Sequence, residues 1–187
     1  VSTLACNGVS ITTLKSLTQM ALGSEIKVKI VATNLDGSSS DSAESSSSVL
    51  YSSIPTSAVT GLAVSVVSST QVSLTWTAQS TPGNGYSSIT TYTVEYKLSS
   101  DSTWQSGNTT ASSPATISGL TTLSTYYFRI KSTNAFGTGP TSSDSSVSAT
   151  LYGIPNVPAQ PTLTQTSGST SIVVTWTAPA NNGATIS

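Results

Sequence analysis

The chain repeats itself at a spacing of one hundred residues. Three unrelated landmarks share this offset: LTWTA at 74–78 with VTWTA at 174–178, IVATNLDG at 30–37 with IKSTNAFG at 130–137, and Pro55 with Pro155. Chance is a poor explanation for three landmarks with one offset. The period is that of a small β-sandwich and is longer than that of a helical solenoid. The sequence therefore predicts a tandem array of sandwiches.

The phase of the repeat predicts the domain boundaries. Residues 1–53 match the C-terminal part of a repeat, residues 54–153 make a complete repeat, and residues 154–187 match the first two strands of the next. Half a sandwich leaves open strand edges and an uncovered core. We therefore expect the chain to be a window from a much longer periodic protein.

The composition excludes several classes of function. Only 7% of the 187 residues are charged and the net charge is −1, so there is no electrostatic case for nucleic acid or an anionic membrane as a partner. No apolar run approaches the ~18 residues of a membrane span. The sequence contains no His, the commonest general base and metal ligand. Cys6 is its single cysteine and cannot form a disulfide within the chain.

Short alternating runs of β-branched and aromatic residues predict an all-β fold. In the complete repeat, TYTVEYKL at 91–98 places Tyr92, Val94 and Tyr96 on one face and polar residues on the other. No segment has a convincing helical period. The remaining predicted strands cover 61–67, 71–77, 115–120, 125–133 and 146–152.

These segments together resemble a fibronectin type III domain, both in the complete repeat and in the two partial ones. The residues that carry the resemblance are Trp76, the alternating run at 91–98, GLTTLSTYYFRI at 119–130 and STNAFGTGP at 132–140. The resemblance implies a seven-stranded, two-sheet sandwich with Trp76 and Trp176 in the core. It also implies that Tyr126 is the tyrosine corner, whose hydroxyl bonds nearby backbone. Ile26 occupies that position in the first, partial repeat.

Few residues suggest a binding or modification site. Asn108 begins the acceptor triplet NTT in a predicted loop, so N-glycosylation and a chance match are both open. Serine-rich runs at 38–48 and 141–148 could carry O-linked sugars or could simply make the edge soluble. Trp104 is a candidate exposed contact, with packing on the strand at 91–98 as the alternative.

No catalytic, metal or cofactor site is expected. Asp36, Asp41 and Glu44 form the nearest approach to an acidic cluster, but the corresponding positions in the second repeat are Phe136, Thr141 and Asp144. Calcium prefers several carboxylates, so a metal at each repeat is not expected. The sequence also lacks a nucleophile–base pair and a Gly-rich phosphate loop.

The phrases LYSSIP at 50–55 and LYGIP at 151–155 predict the junctions between repeats. A flexible linker would be Gly- and Ser-rich and would not repeat apolar residues. We expect Tyr and Ile to pack between neighbouring repeats and the one-residue difference between the spacers to change the rotation. The expected junction residues are Leu50, Tyr51, Ile54, Pro55, Leu151, Tyr152, Ile154 and Pro155.

The leading hypothesis is a structural or adhesive segment of a long tandem-repeat protein, extracellular or at the cell surface. Its partners would be neighbouring repeats of the same chain, other copies in a fibre, and glycans. Two alternatives stay open: a spacer in a secreted polysaccharide-degrading enzyme, and the ectodomain of a receptor. The rest of the gene would separate the three, through further repeats, a hydrolase domain or a membrane span.

Overall fold

The computed structural model describes residues 20–31, 33–143 and 147–186. Cys6 and Asp144 lie outside the described residues. The chain divides into two compact units: Val1–Ala58, Gln79–Thr90 and Ser132–Pro140 form the first, and Val59–Ala78, Thr91–Lys131 and Thr141–Ser187 form the second. The described residues form strands and no helix. In chain order the strands are β1 (Glu25–Ile26), β2 (Thr33–Asn34), β3 (Gly37–Ser38), β4 (Val49–Leu50), β5 (Thr60–Ser68), β6 (Gln71–Thr77), β7 (Ile89–Leu98), β8 (Gln105–Thr110), β9 (Ala115–Ser118), β10 (Thr125–Asn134), β11 (Gly137–Thr138), β12 (Ser148–Thr150), β13 (Thr162–Thr164) and β14 (Val173–Thr175).

The complete repeat contains two antiparallel sheets. One has the order β5-β6-β9, and the other has the order β11-β10-β7-β8 with β12 paired to β10. Strand β10 alternates strictly between half-buried and buried residues, which is the pattern of a strand with one face on a core. Leaving aside the two-residue β11, this arrangement has the seven strands and two sheets that the family resemblance implies.

Trp76 and Tyr126 lie in the core of the second unit. The Trp76 side chain is buried, and its ring centroid lies 5.3 Å from that of Tyr92 on the other sheet. Tyr126 is buried too, and its hydroxyl accepts a hydrogen bond of 3.0 Å from the Thr121 N–H. This bond ties the start of β10 to the chain that precedes it, which is the role of a tyrosine corner.

Trp176 does not lie in a core. Its side chain is 65% exposed, in contrast to 7% for Trp76. Strands β13 and β14 pair only with each other, and the described residues after β14 contribute no second sheet to cover the ring. Among the described residues the Trp176 ring is therefore uncovered, and its place in the core of a complete sandwich stays a prediction. The exposed Ile30 and Leu35 of the first unit are uncovered in the same way.

The hundred-residue repeat is visible in the hydrogen bonds. Ser42 donates its N–H to the Ile30 carbonyl at 3.0 Å and accepts the Ile30 N–H at its Oγ at 3.1 Å. Ser142 makes the same two bonds with Ile130, at 2.8 and 2.9 Å. The serine hydroxyl takes the place of a backbone carbonyl in the ladder. Some of the serines are therefore built into the sheet edge rather than left for sugars.

Candidate interdomain junctions

The linker after the first repeat, residues 51–56, is hydrogen-bonded to the loop between β6 and β7, residues 78–88, which we call the BC loop. The Ser53 N–H donates to the Gly85 carbonyl at 2.8 Å, and the Thr56 N–H donates to the Gly83 carbonyl at 2.9 Å. Two of the linker's backbone donors are thereby satisfied by one loop of the repeat that follows. Such pairing fixes the path of the linker like a short strand.

Only glycine fits at two of the positions that face this linker. A Cβ on Gly85 would lie 2.3 Å from the Ile54 carbonyl oxygen, and Gly85 has a φ of +72°. A Cβ on Gly139 would lie 2.5 Å from the Cβ of Pro55. Pro55 is fully buried as a result. The GNG loop and the GTG turn therefore act as a close-fitting seat for the linker.

Asn134, at the end of β10, locks the linker into this seat. Its Nδ2 donates to the Ser53 carbonyl at 2.7 Å and to the Asn84 carbonyl at 3.0 Å. Its Oδ1 accepts the Phe136 N–H at 2.9 Å. The side chain is 4% exposed and both amide hydrogens are used. Asn134 thus joins the linker, the BC loop and the turn after β10 in one buried network.

The second junction repeats the pairing of the first. The Gly153 N–H donates to the Asn182 carbonyl at 2.8 Å, and the Asn156 N–H donates to the Ala180 carbonyl at 3.0 Å. The loop of residues 176–186 is the counterpart of the BC loop and takes the same turn, with the Gly183 N–H on Asn181 Oδ1 at 3.2 Å. In the first BC loop, the Tyr86 N–H lies 3.0 Å from Asn84 Oδ1.

Each linker is also tied to the repeat that precedes it. Tyr51 exchanges two backbone bonds with Gly23 and Ser24, both of 2.9 Å. Leu151 exchanges the corresponding bonds with Leu123 and Ser124, at 3.1 and 3.0 Å. Tyr51 is therefore equivalent to Leu151 and not to Tyr152. The spacers do not differ in length, and the expected one-residue difference between them is wrong.

The expected junction residues differ in burial. Tyr51, Pro55 and Leu151 are buried, whereas the others are exposed to different degrees. The exposed fractions are 42% for Leu50, Ile54 and Tyr152 and 83% for Ile154, and Pro155 is exposed. Ile154 is uncovered because the turn that seats Ile54 and Pro55 comes late in a repeat, and its counterpart is absent from the described residues after 156.

Trp104 packs against cations on one face of the sheet. The Arg129 guanidinium carbon lies 4.2 Å and the Lys97 Nζ 5.2 Å from the ring centroid, which are cation–π distances. The ring is half-buried. Trp104 therefore packs beside the strand at 91–98, one of its two expected roles.

Glu95 forms ion pairs with two cations on the same face. Its carboxylate accepts from Arg129 Nε at 2.7 Å and from Lys131 Nζ at 2.6 Å. Burial raises the pKa of Glu95, but the hydrogen bonds with Lys131 and Arg129 outweigh burial and leave the pKa below its usual range.

Asn108 lies in strand β8 and not in the loop that the sequence predicts. Its Nδ2 donates to the Thr116 carbonyl at 3.2 Å, which links β8 to β9. Because β8 pairs only with β7, it is an edge strand, and an edge can present a modified side chain to solvent.

The described residues hold no group of three metal-ligating side chains. Asp41 and Glu44 instead lie 4.0 Å from Lys29 and 3.7 Å from Lys27 at the surface. Across the described part of the chain, no helix is long and apolar enough to cross a membrane.

Sequence reasoning missed the seat itself. Asn134 and the glycines around it carry the family resemblance, and the sequence of the BC loop indicates only a turn. The available signal was the hundred-residue recurrence of Asn and Gly in TNLDG and TNAFG, which pointed to an essential position without showing what it contacts.

Comparison with known proteins agrees with this architecture. The fibronectin type III domain family matches residues 57–148. A crystal structure of domains A168–A170 from titin superposes with a TM-score of 0.52 at 25% identity, covering 66% of this chain and 40% of that one. A structure of titin kinase and its flanking domains gives 0.45 at 31% identity over 49% and 16%. Domains FN1–FN3 of chicken CNTN1 give 0.43 at 22% over 66% and 42%.

The chain spans less than half the length of each of these structures. The family match at 57–148 lies within the predicted complete repeat, which has the two sheets, the buried Trp76 and the Tyr126 corner described above. Residues 57–148 of this chain are a fibronectin type III domain.

Proposed function

We propose that this chain is a structural or adhesive segment of a long extracellular or cell-surface protein, in which repeats follow one another through packed, semi-rigid junctions. The observation that carries the proposal is the pairing of each linker with the BC loop of the following repeat, through Ser53 and Thr56 at one junction and Gly153 and Asn156 at the other. Its partners are neighbouring repeats, other copies in a fibre, and glycans, and no catalytic role is included.

The linker contacts favour a rod over beads on a loose string. At the first junction the paired linker also gains the two buried contacts of Asn134 and Pro55. With a nine-residue strand β5, one repeat advances the rod by about 30 Å.

The extracellular and adhesive part of the proposal rests on the surface. More than a third of the residues are Ser or Thr and only 7% are charged. A surface with so little charge needs another source of solubility, and hydroxyls or glycans can supply it. The NTT triplet at Asn108 lies on an edge strand.

Backbone ¹⁵N relaxation on the whole 187-residue chain tests the junction directly. We expect the amides of Ser53 and Thr56 to have order parameters near the ~0.85 of rigid backbone, comparable with those of β6. The control variant replaces residues 53–56 with Gly-Ser-Gly-Ser and should fall below about 0.6. Wild-type values as low as those of the control would rule out the packed junction.

A further inference from the structure

At the first junction a glycine of one repeat lies under an aromatic ring of the next. Gly23, in the corner before β1, has a φ of +86°, and a Cβ there would lie 2.3 Å from Cε1 of Tyr86 in the BC loop. Tyr86 has a φ of +59°, which is costly for any residue but Gly. The tyrosine is thus held in an unfavourable backbone conformation with its ring on the glycine.

At the second junction the sizes are exchanged. The corner position carries Leu123, with a φ of +58°, and the BC-loop position carries Gly183, with a φ of +95°. A Cβ on Gly183 would lie 3.4 Å from Cδ1 of Tyr152. The aromatic ring at this junction therefore comes from the linker and not from the loop. Ser52 holds the linker position at the first junction, where its Oγ donates to the Tyr86 carbonyl at 2.8 Å.

A second pair of positions shows the same exchange. Ser53 faces Gly85, whose added Cβ would lie 2.4 Å from the Ser53 carbonyl oxygen. The equivalent pair is Gly153 and Asn182, and a Cβ on Gly153 would lie 3.1 Å from the Asn182 Cβ. Each pair contains one glycine, on the loop side at the first junction and on the linker side at the second. The two pairs are coupled at the second junction, because a Cβ on Gly153 would also lie 3.0 Å from Cδ2 of Leu123.

We propose that these positions form a steric code that decides which repeat can follow which. A repeat that ends in a Gly corner and a Ser-Ser linker accepts a follower whose BC loop reads Gly-Tyr. A repeat that ends in a Leu corner and a Tyr-Gly linker accepts a follower whose loop reads Asn-Gly. The inference rests on the proposed packed junction and adds that the junctions are specific, so that shuffled repeats would not pack.

The physical basis is that the mismatched combinations fail in opposite ways. Leucine at position 23 with Tyr86 retained puts side-chain atoms inside the volume of the ring, because even a Cβ lies 2.3 Å from it. Glycine on both sides leaves a gap and loses the ring contact. Only a combination of one large and one small residue fills the space without overlap. Specificity then comes from the clash as much as from the fit.

A double-mutant cycle tests the code in the whole chain. The variants are Gly23→Leu, Tyr86→Gly and the two together, and the readout is hydrogen exchange of the Ser53 and Thr56 amides. We expect Gly23→Leu to speed their exchange about tenfold or more, and Tyr86→Gly to have a smaller effect. In the double variant the two amides should exchange more slowly than in Gly23→Leu alone, because Tyr86→Gly removes the ring from the space that the leucine enters.

Two controls keep the cycle interpretable. Gly119→Leu places a leucine at a φ of +77° with nothing within 4 Å of the new Cβ, so it measures backbone strain alone and should leave the two linker amides unchanged. Gly23→Ala provides the clash with the smallest side chain and decides the matter if the leucine variant does not fold. Exchange in Gly23→Ala or Gly23→Leu equal to wild type, or additive effects in the double variant, would overturn the code.

The same measurements can refute the proposed function and the code separately. Rapid exchange of Ser53 and Thr56 in the wild-type chain would refute the packed junction itself. If the two amides exchange slowly in the wild type and equally slowly in the Gly23 and Tyr86 variants, the packed junction would stand and only the code would be refuted.

Discussion

Replacing Asn134 with alanine removes the group that joins linker, BC loop and turn. Three hydrogen bonds are lost at once: from Nδ2 to the Ser53 and Asn84 carbonyls, and from the Phe136 N–H to Oδ1. A buried polar group left without its partner costs about 1–3 kcal/mol. Water can reach part of the vacated space at the end of the domain. We therefore expect a loss of about 3 kcal/mol, a large fraction of the ~5–15 kcal/mol of a typical domain.

Urea unfolding followed by fluorescence and far-UV circular dichroism measures this loss. The midpoint should fall with little change in the slope, since the surface exposed on unfolding is nearly the same. The order parameter of the Ser53 amide should also fall, because the linker loses its bond to Asn134. A loss below about 0.5 kcal/mol, or a destabilised sandwich whose linker amides stay as rigid as in the wild type, would refute the assignment of Asn134 to the seat.

Asn134→Asp is a near-isosteric test of the donor role. The carboxylate can still accept the Phe136 N–H but presents acceptors to two carbonyl oxygens. Its folded-state pKa should therefore be raised above the unfolded value of about 3.9. A raised acid pKa makes the variant relatively more stable below pH ~4 and progressively less stable as pH rises through the folded pKa. A variant-minus-wild-type difference that does not depend on pH would contradict this reasoning.

Substitutions at four further residues test the core, the charged face and the edge strand. Trp76→Ala should lower the free energy of unfolding by about 3–5 kcal/mol, measured by thermal unfolding. Trp76→Phe should lower it much less, because phenylalanine keeps an aromatic ring and removes a buried Nε1 that has no partner among the described residues. Tyr126→Phe deletes only the bond to the Thr121 N–H and should cost about 1–2 kcal/mol; an unchanged melting curve would contradict the corner. Burial raises the pKa of Glu95, but Lys131 and Arg129 lower it by more, so the net pKa is lowered. The ion pairs should therefore stabilise the folded chain above the unfolded pKa of about 4.3, and this stabilisation should disappear as pH falls through the lower folded pKa. The stability difference from Glu95→Gln should therefore shrink in acid, and a constant difference would count against the ion pairs. Secretion from eukaryotic cells should add a glycan mass that Asn108→Gln removes, whereas a bare polypeptide mass would exclude this site.

The sandwich of the complete repeat could be predicted from the sequence because its signals are local. Alternation in β7 and β10 depends only on neighbouring residues along one strand, and the hundred-residue offset can be counted directly. The positions of Trp76 and Tyr126 follow from the family resemblance for the same reason. Trp76 and Asn134 recur at the hundred-residue offset as Trp176 and Asn34, whereas Ile26 stands at the position of Tyr126.

The junctions required the tertiary structure, because their partners come from distant parts of the chain. Asn134 contacts a carbonyl 81 residues away, and no local pattern shows which carbonyl that is. The sequence alignment of LYSSIP with LYGIP pairs Tyr51 with Tyr152, but the backbone hydrogen bonds show that Tyr51 is equivalent to Leu151. Trp176 has the sequence context of a core residue, yet burial needs a second sheet that strands β13 and β14 do not supply. The sequence determines which face of a strand is apolar, but only folding decides what lies opposite that face.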